Sequence, residues 1–453
     1  MKIALDAMGG DLAPKAAVEG AVRAARDFAI NVVLVGDRPT VERELTDHDV
    51  RNLPITLEHA AQTVAMDDSP LESVLGKPES SIHVGLELVK RGEADAFVSA
   101  GNSGAVMATA MAVLGNLPGI DRPAIASVVP TTAGLCLLID AGANTDVKPL
   151  NLMQFGVMGS VYWKHVGGVP TPRVAILANG EEASKGSEAT RSAATGLAAM
   201  APALNYIGYV EGRDLNSAKA DVIVTDGFTG NVALKTMEGF ATFLLANLRE
   251  VFESGLVRKL AFLLIRKRLL GLRSKLDPSE YGGAPLLGVG GVVIIAHGSS
   301  NPHAIRNAIR AAANESLVRN VNTEISELVA RIPVASALKP ANPNKGIRGL
   351  FLKMRDRLHL PHPQRDAASE AKPGRTRDES APRSDSASPA RSSEGRPEVR
   401  GSGALKSLPT NGPVPTPGDN GLVRDASHQD APETPASATP SPSATPPPKT
   451  PPA

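Results

Sequence analysis

The chain has 453 residues, a formal net charge of +1, few aromatic residues, and 37 prolines concentrated towards its C-terminal end. A charge so near zero excludes the global basic signature of a nucleic-acid binder. The single cysteine, Cys136, excludes an intrachain disulfide and points to a reducing compartment. Asp6 ends the first apolar run well short of a signal peptide's hydrophobic region, and no apolar run approaches about 18 residues. The expected location is the cytoplasm, with peripheral membrane contact left open.

Short apolar runs bounded by glycine or small polar residues recur along the first part of the chain. They fall at Lys2–Asp6, Val32–Val35, Ala96–Ser99, Ala124–Val129, Leu135–Asp140, Arg173–Ala178, Asp221–Thr225 and Gly291–Ala296. Several are continuously apolar rather than alternating, as strands covered on both faces are. Helical patterns follow at Pro14–Phe28, Ser81–Arg91, Gly104–Leu114, Ser187–Ala199, Asn231–Glu250 and Pro302–Ala330. Strand then helix, repeated with no fixed internal period, predicts an α/β fold over residues 1–335, layered as one α/β/α core.

The stretch Ser254–Leu276 departs from this pattern. It carries Arg258, Lys259, Arg266, Lys267, Arg268, Arg273 and Lys275 around Leu260-Ala261-Phe262-Leu263-Leu264-Ile265, with no acid from Gly255 to Leu276. Its apolar residues form no single stripe, so two short helices or a projecting tip is the expectation. Residues 336–365 read as a linker in which Ile347, Leu350, Phe351, Met354 and Leu358 recur at helical spacing among Arg348, Lys353, Arg355 and Arg357. That pattern is a short basic amphipathic helix or a solvated linker. Residues 366–453 are almost entirely Ser, Pro, Ala, Arg, Asp, Glu, Gly and Thr. Such a tail cannot bury enough apolar surface to offset about 1–2 kcal/mol per residue of backbone entropy and is expected to be disordered.

The strand ends carry a shared punctuation: Asp6-Ala7-Met8-Gly9-Gly10-Asp11, Ser99-Ala100-Gly101-Asn102-Ser103-Gly104, Asp140-Ala141-Gly142-Ala143-Asn144, Thr225-Asp226-Gly227-Phe228-Thr229-Gly230-Asn231 and His297-Gly298-Ser299-Ser300-Asn301. Glycine lets backbone amides approach an anion, and a following helix offers its unpaired donors and positive dipole end. Ligands of open α/β sheets bind at such carboxyl ends. Turn-making and helix capping account for any one loop, whereas the set points to a ligand crevice. A Gly-x-x-x-x-Gly-Lys-Ser/Thr loop, a Gly-x-Gly-x-x-Gly dinucleotide turn, a Gly-x-Ser-x-Gly elbow and a Cys/His metal cluster are all missing, so no metal or cofactor is expected.

Taken in order with Gly230-Asn231-Val232-Ala233-Leu234-Lys235 and Ala296-His297-Gly298-Ser299-Ser300-Asn301, these loops resemble the bacterial phosphate acyltransferases of phospholipid synthesis (acyl-acyl carrier protein:phosphate acyltransferases). The resemblance runs from Met1 to roughly Arg331 and does not reach the tail. It implies that inorganic phosphate attacks the thioester of acyl-acyl carrier protein, giving acyl phosphate and free carrier protein. It also implies a layered Rossmann-like fold similar to phosphate acetyltransferases and isocitrate/isopropylmalate dehydrogenases, a homodimer, and a membrane glycerol-3-phosphate acyltransferase as the next acceptor. Under it, Ser254–Leu276 meets anionic lipid, docks the acidic carrier protein or packs against a second subunit.

Such a reaction needs an oriented phosphate, a donor for the developing oxyanion and a path for the acyl chain, but no nucleophile triad. Lys185, Asn231 and His297 are the candidate catalytic residues. Lys185 is placed to clamp phosphate or steady the oxyanion, or is simply solvated. Asn231 is read as an amide donor that also caps a helix. His297 is read as a proton donor to the leaving thiolate, a phosphate ligand or a buried structural histidine. Asp6, Gly9, Gly10, Asn102, Ser103, Gly104, Asn144, Gly230 and Ser299 are the candidate phosphate- and substrate-binding residues, with Asp6 orienting a lysine. Cys136 lies in an apolar run and reads as a core thiol. Two competitors remain: a transferase forming acetyl or butyryl phosphate from coenzyme A, and a non-catalytic acyl-ligand scaffold.

Overall fold

A computed structural model describes residues 1–253, 255–313 and 315–333, which pair the apolar runs into one 11-stranded sheet. The linker and tail expected over 336–365 and 366–453 lie outside the described residues. The strands are β1 (Lys2–Asp6), β2 (Asn31–Gly36), β3 (Ile55–His59), β4 (Ala96–Ser99), β5 (Ala124–Thr131), β6 (Gly134–Ile139), β7 (Val174–Leu177), β8 (Tyr206–Val210), β9 (Val222–Val224), β10 (Ala284–Leu287) and β11 (Val292–Ile295). Their order is β3-β2-β1-β4-β11-β10-β5-β6-β9-β7-β8. The strands from β3 to β11 on one side are mutually parallel, as are β6, β9, β7 and β8 on the other. β10 runs antiparallel to both its neighbours, and β5 forms an antiparallel hairpin with β6. Because β10 meets β11 through Ala284 and Pro285 and β5 through Leu286 and Leu287, one short strand is the seam between two parallel halves.

The helices are α1 (Lys15–Phe28), α2 (Arg38–Leu45), α3 (Pro70–Gly76), α4 (Ser81–Lys90), α5 (Ser103–Val113), α6 (Pro149–Val166), α7 (Glu188–Ala198), α8 (Gly227–Glu253), α9 (Leu256–Leu276), α10 (Pro302–Ala312) and α11 (Glu315–Val329). They cover both faces of the sheet, which the strand side chains reach alternately. Ile3 and Leu5 pack with Ala21 of α1 and Ile305 of α10, while Ala4 packs on the opposite face with Leu86 of α4 and Val106 of α5. In the second half Leu137 and Ile139 pack with Phe155 of α6 and Leu197 of α7. Cys136 and Leu138 turn the other way, towards Ala233 and Met237 of α8. Two-sided burial is why these strands are continuously apolar, and it gives the layered, Rossmann-like α/β/α fold that the sequence predicts. The same burial pushes the Cys136 thiol up to about 12, as suits a core residue.

Several elements depart from expectation for local reasons. β3 and β8 are edge strands, half exposed, and β8 has Gly208 at its centre; β10 contains Pro285. None of these reads as a strong strand signal. α6 is buried nearly all round, so it lacks the period of a surface helix. The helix expected over Pro302–Ala330 is two, α10 and α11. The basic stretch is a correction: α9 is one continuous 21-residue helix, not two short ones.

Arg173 ties the entrances of β7 and β9. Its Nε donates to Asp221 Oδ2 at 2.9 Å, its Nη2 to Oδ1 at 2.8 Å, and its backbone N–H to Oδ2 at 2.8 Å. Burial alone would raise the Asp221 carboxyl, but the guanidinium and the amide outweigh it and hold the group below its ordinary value. Such a carboxylate contributes stability above its unfolded pKa and loses that contribution as pH falls through the folded one. Asp221→Asn is expected to lower the melting temperature at neutral pH. The gap to wild type should narrow as pH drops below the ordinary carboxylate value of about 3.9. A gap independent of pH in thermal melts would show that the charge contributes nothing.

Candidate active site

In the first half, the glycine turns after β1, β4 and β11 lie against one another. Asp6, buried at the end of β1, accepts from Ser99 Oγ at 2.7 Å and from Met8 N at 3.0 Å, and Ser99 Oγ in turn accepts from Gly101 N at 3.0 Å. Burial pushes the Asp6 carboxyl up, opposed by hydrogen bonds from Ser81, Ser99, Met8 and Gly9. A Cβ on Gly9 would lie 2.3 Å from Asp6 Oδ2 and 2.7 Å from Gly101 N, so the two turns touch only because that position is glycine. Gly10 has φ +101°, and the next residue, Asp11, donates its N–H to Gly298 O at 2.8 Å. The third turn is thereby pinned to the first.

In the second half, Asp140 takes the place that Asp6 has in the first. Its Oδ1 accepts from the amides of Ile125 (3.2 Å), Gly142 (3.1 Å) and Ala143 (2.9 Å), and its Oδ2 from Asn144 N (2.7 Å) and Asn144 Nδ2 (2.8 Å). Burial pushes this carboxyl up as well, against the donors of Ala143, Asn144 and Gly142. The turn it shapes receives α8: Gly227 N donates to Asn144 O at 2.7 Å, and Gly230 packs on the Asp140 carbonyl. Asp226 caps the helix, accepting from Thr229 N at 2.8 Å.

The halves meet where α8 reaches the turn after β11. Lys235 Nζ lies 3.0 Å from His297 Nε2 and donates to Glu238 Oε2 at 2.8 Å; His297 Nδ1 lies 2.7 Å from Ser299 Oγ. Asn231, one helical turn before Lys235, sits beside Gly142, its Cβ 3.7 Å from where a Gly142 Cβ would be. Asn231, Lys235, His297 and Ser299 are all exposed. Lys235 stood in the quoted Gly230–Lys235 run without being singled out. Its spacing of four from Asn231, which places both on one helical face, was the available signal.

The other predicted residues divide into two groups. Ser103 is exposed at the start of α5, and Gly104 packs against Pro70. The side chains of Asp6, Asn102 and Asn144 serve the scaffold. Asn102 Nδ2 donates to Met66 O (3.0 Å) and Asp68 O (2.9 Å), and its Oδ1 accepts from Ala105 N. Asn144 Nδ2 has both protons engaged, on Pro123 O and Asp140 Oδ2. Asp6 holds a serine and amides rather than a lysine, so these three expectations are corrected. Asn231 is not a helix cap either, since α8 begins at Gly227. His297 is exposed, not buried. Lys185 lies on the exposed turn after β7, its N–H donating to Glu182 O at 2.9 Å. Leu177, at the end of β7, packs in one cluster with Ala233, Leu234 and Met237 of α8, but no described contact joins Lys185 to Asn231 or His297.

An exposed lysine, histidine, serine and amide thus come together over glycine turns where the two halves of the α/β fold meet. Residues 1–323 match the family model described as fatty acid synthesis protein. A phosphate acyltransferase of Geotalea daltonii is 50% identical over 327 residues, covering 72% of this chain and 94% of that protein. A phosphate acyltransferase of Geobacter sulfurreducens has the same identity and coverage. The chain belongs to the phosphate acyltransferase family, and it is a transferase. Among solved structures, a phosphotransacetylase from Streptococcus pyogenes aligns at 18% identity with a TM-score of 0.46, covering 72% of this chain and 94% of that one. A branched-chain phosphotransacylase from Enterococcus faecalis aligns at 14% identity with a TM-score of 0.44, covering 71% and 99%. The assignment rests on neither structural likeness.

A methyl group on Gly230 would fall 1.9 Å from the Asp140 carbonyl oxygen, a backbone atom with no freedom to yield. Gly230→Ala is expected to cost roughly 1–3 kcal/mol of stability by overpacking. It should also cut turnover by about 100-fold through misplacement of α8. Full activity in this variant would refute the dependence of the site on that contact.

Proposed function

We propose that the enzyme transfers an acyl group from acyl-acyl carrier protein to inorganic phosphate, giving acyl phosphate and free carrier protein for phospholipid synthesis. The observation that carries this reading is the exposed group of Asn231, Lys235, His297 and Ser299 where the two halves meet. It offers cationic and neutral donors, and the single cysteine is a buried core thiol, so no acyl-cysteine intermediate is invoked. In this reading phosphate attacks directly. A phosphate oxygen forms a bond to the thioester carbonyl carbon, charge develops on the carbonyl oxygen, and the C–S bond breaks with the electron pair leaving on sulfur. A thiol of pKa about 8.5 needs little acid assistance to depart. Asn231 donates to the developing oxyanion, and Lys185, on the turn after β7, is assigned as a further cation.

The product is an amphiphile whose acceptor, a membrane glycerol-3-phosphate acyltransferase, lies in the bilayer, and the α8–α9 pair suits delivery there. α8 exposes Phe240, Phe243, Leu244 and Val251, an apolar strip that we assign to a second copy of the chain as a homodimer. α9 exposes Leu264, Ile265, Leu270 and Leu272 together with Arg266, Lys267 and Arg268, a composition suited to reversible contact with anionic lipid. No helix among the described residues is long and apolar enough to cross a membrane.

Purified protein given phosphate and long-chain acyl-acyl carrier protein should release free carrier protein and acyl phosphate. Lys185→Ala should lower kcat by roughly 100-fold with an unchanged melting temperature, the usual cost of losing an oxyanion donor. Turnover with acyl-coenzyme A alone would transfer the assignment to the coenzyme A competitor, and an unaltered kcat would remove Lys185 from the mechanism. Replacing Phe240 and Phe243 by serine should shift the sedimentation coefficient from dimer to monomer. Replacing Leu264 and Ile265 should instead weaken salt-sensitive binding to anionic vesicles. If the second pair dissociates a dimer while vesicle binding persists, α9 is an interface and the lipid assignment is wrong.

A further inference from the structure

We propose that Lys235 is the residue that holds inorganic phosphate during attack, with Glu238 and His297 as the positioning residues that aim its ammonium. The inference deepens the reading above and rests on it for the identity of the nucleophile.

The first reason is that part of the backbone donor set is already in use. Strand-end turns bind anions well when the following helix leaves its first amides free. Here the chain caps those helices itself. On α8, Gly227 N donates to Asn144 O, Thr229 N to Asp226 Oδ1, and Gly230 N to Asp226 O. On α5, Ala105 N donates to Asn102 Oδ1, and on α10, Ala304 N donates to Asn301 Oδ1. With part of this donor set in use, a neighbouring cationic side chain supplies the charge that favours a phosphate dianion.

The second reason is the geometry at Lys235. An ammonium has three N–H donors. One is directed at Glu238 Oε2 (2.8 Å), Nζ lies 3.0 Å from His297 Nε2, and the side chain is 44% exposed, so among the described residues the ammonium keeps a donor for a ligand. The other ring nitrogen of His297, Nδ1, lies 2.7 Å from Ser299 Oγ and accepts from the Ser299 backbone N–H at 3.2 Å. The contiguous run Glu238–Lys235–His297–Ser299 holds the ammonium at the junction of the two halves. Asn231, one turn earlier on the same helix face, is uncharged and suits the carbonyl oxygen, whereas the point charge of a lysine suits phosphate.

The test uses the full chain and inorganic phosphate as the probe. Lys235→Ala should raise KM for phosphate roughly 10- to 100-fold, the cost of a charge-assisted hydrogen bond, and leave KM for the acyl donor unchanged. Lys235→Arg should recover part of the loss, and thermal melts of both variants should overlay the wild type. Titration of phosphate by calorimetry with no acyl donor present should show the same weakening. A wild-type phosphate affinity in Lys235→Ala overturns the proposal. If the wild-type protein binds phosphate through Lys235 but forms no acyl phosphate, this assignment stands and the proposed reaction falls.

Discussion

The buried carboxylate of Asp140 is the point on which the rest of the site depends. A charged group removed from water is costly unless its lone pairs are taken up, and here both oxygens are surrounded by donors from one tight turn and from Ile125 at the start of β5. The turn so fixed offers the Asn144 carbonyl to Gly227 and the Asp140 carbonyl surface to Gly230, which set where α8 begins. Everything α8 carries follows from that start. Asn231 comes to lie beside Gly142, and Lys235, one turn on, reaches His297 in the other half of the molecule.

The same device appears in the first half. Asp6 ends its strand, is buried, and binds the turn that follows it, with Ser99 extending the grip to the neighbouring turn. Two interior acids, each organising glycine turns at a strand end, leave the exposed donors with little freedom to drift. Rigid turns of this kind also explain why the conspicuous polar residues of the loops, Asn102 and Asn144, are occupied internally. The groups left facing solvent are fewer and more cationic than the loops taken one by one imply.

The reversal of strand direction at the seam bears on function too. Two parallel halves joined through β10 and β5 each send carboxyl-end turns out of the sheet, and the four-residue β10 pairs with β11 by one end and with β5 by the other. A site assembled across such a seam draws its cation from one half and its histidine from the other. The packing of the halves therefore sets how far these groups lie from one another.

The sequence by itself determined the layered α/β architecture, because strands covered on both faces must be continuously apolar and the helices beside them amphipathic. It also determined where the strand-end turns can close on one another, because only glycine at Gly9, Gly10 and Gly230 allows the close backbone contacts found there. It placed Cys136 in the core for the same reason of two-sided burial. It did not reveal the edge strands β3 and β8 or the proline-bearing seam strand β10, whose pairing is imposed by neighbours rather than by propensity. The tertiary structure alone decided which loop residues are free. Whether Asn102, Asn144 or Asp6 can meet a ligand depends on partners distant in the chain, such as Met66, Pro123 and Ser99. It alone brought Lys235 to His297 across 62 positions of sequence, since hydrogen-bond partners are set by packing in space and local pattern carries no record of them.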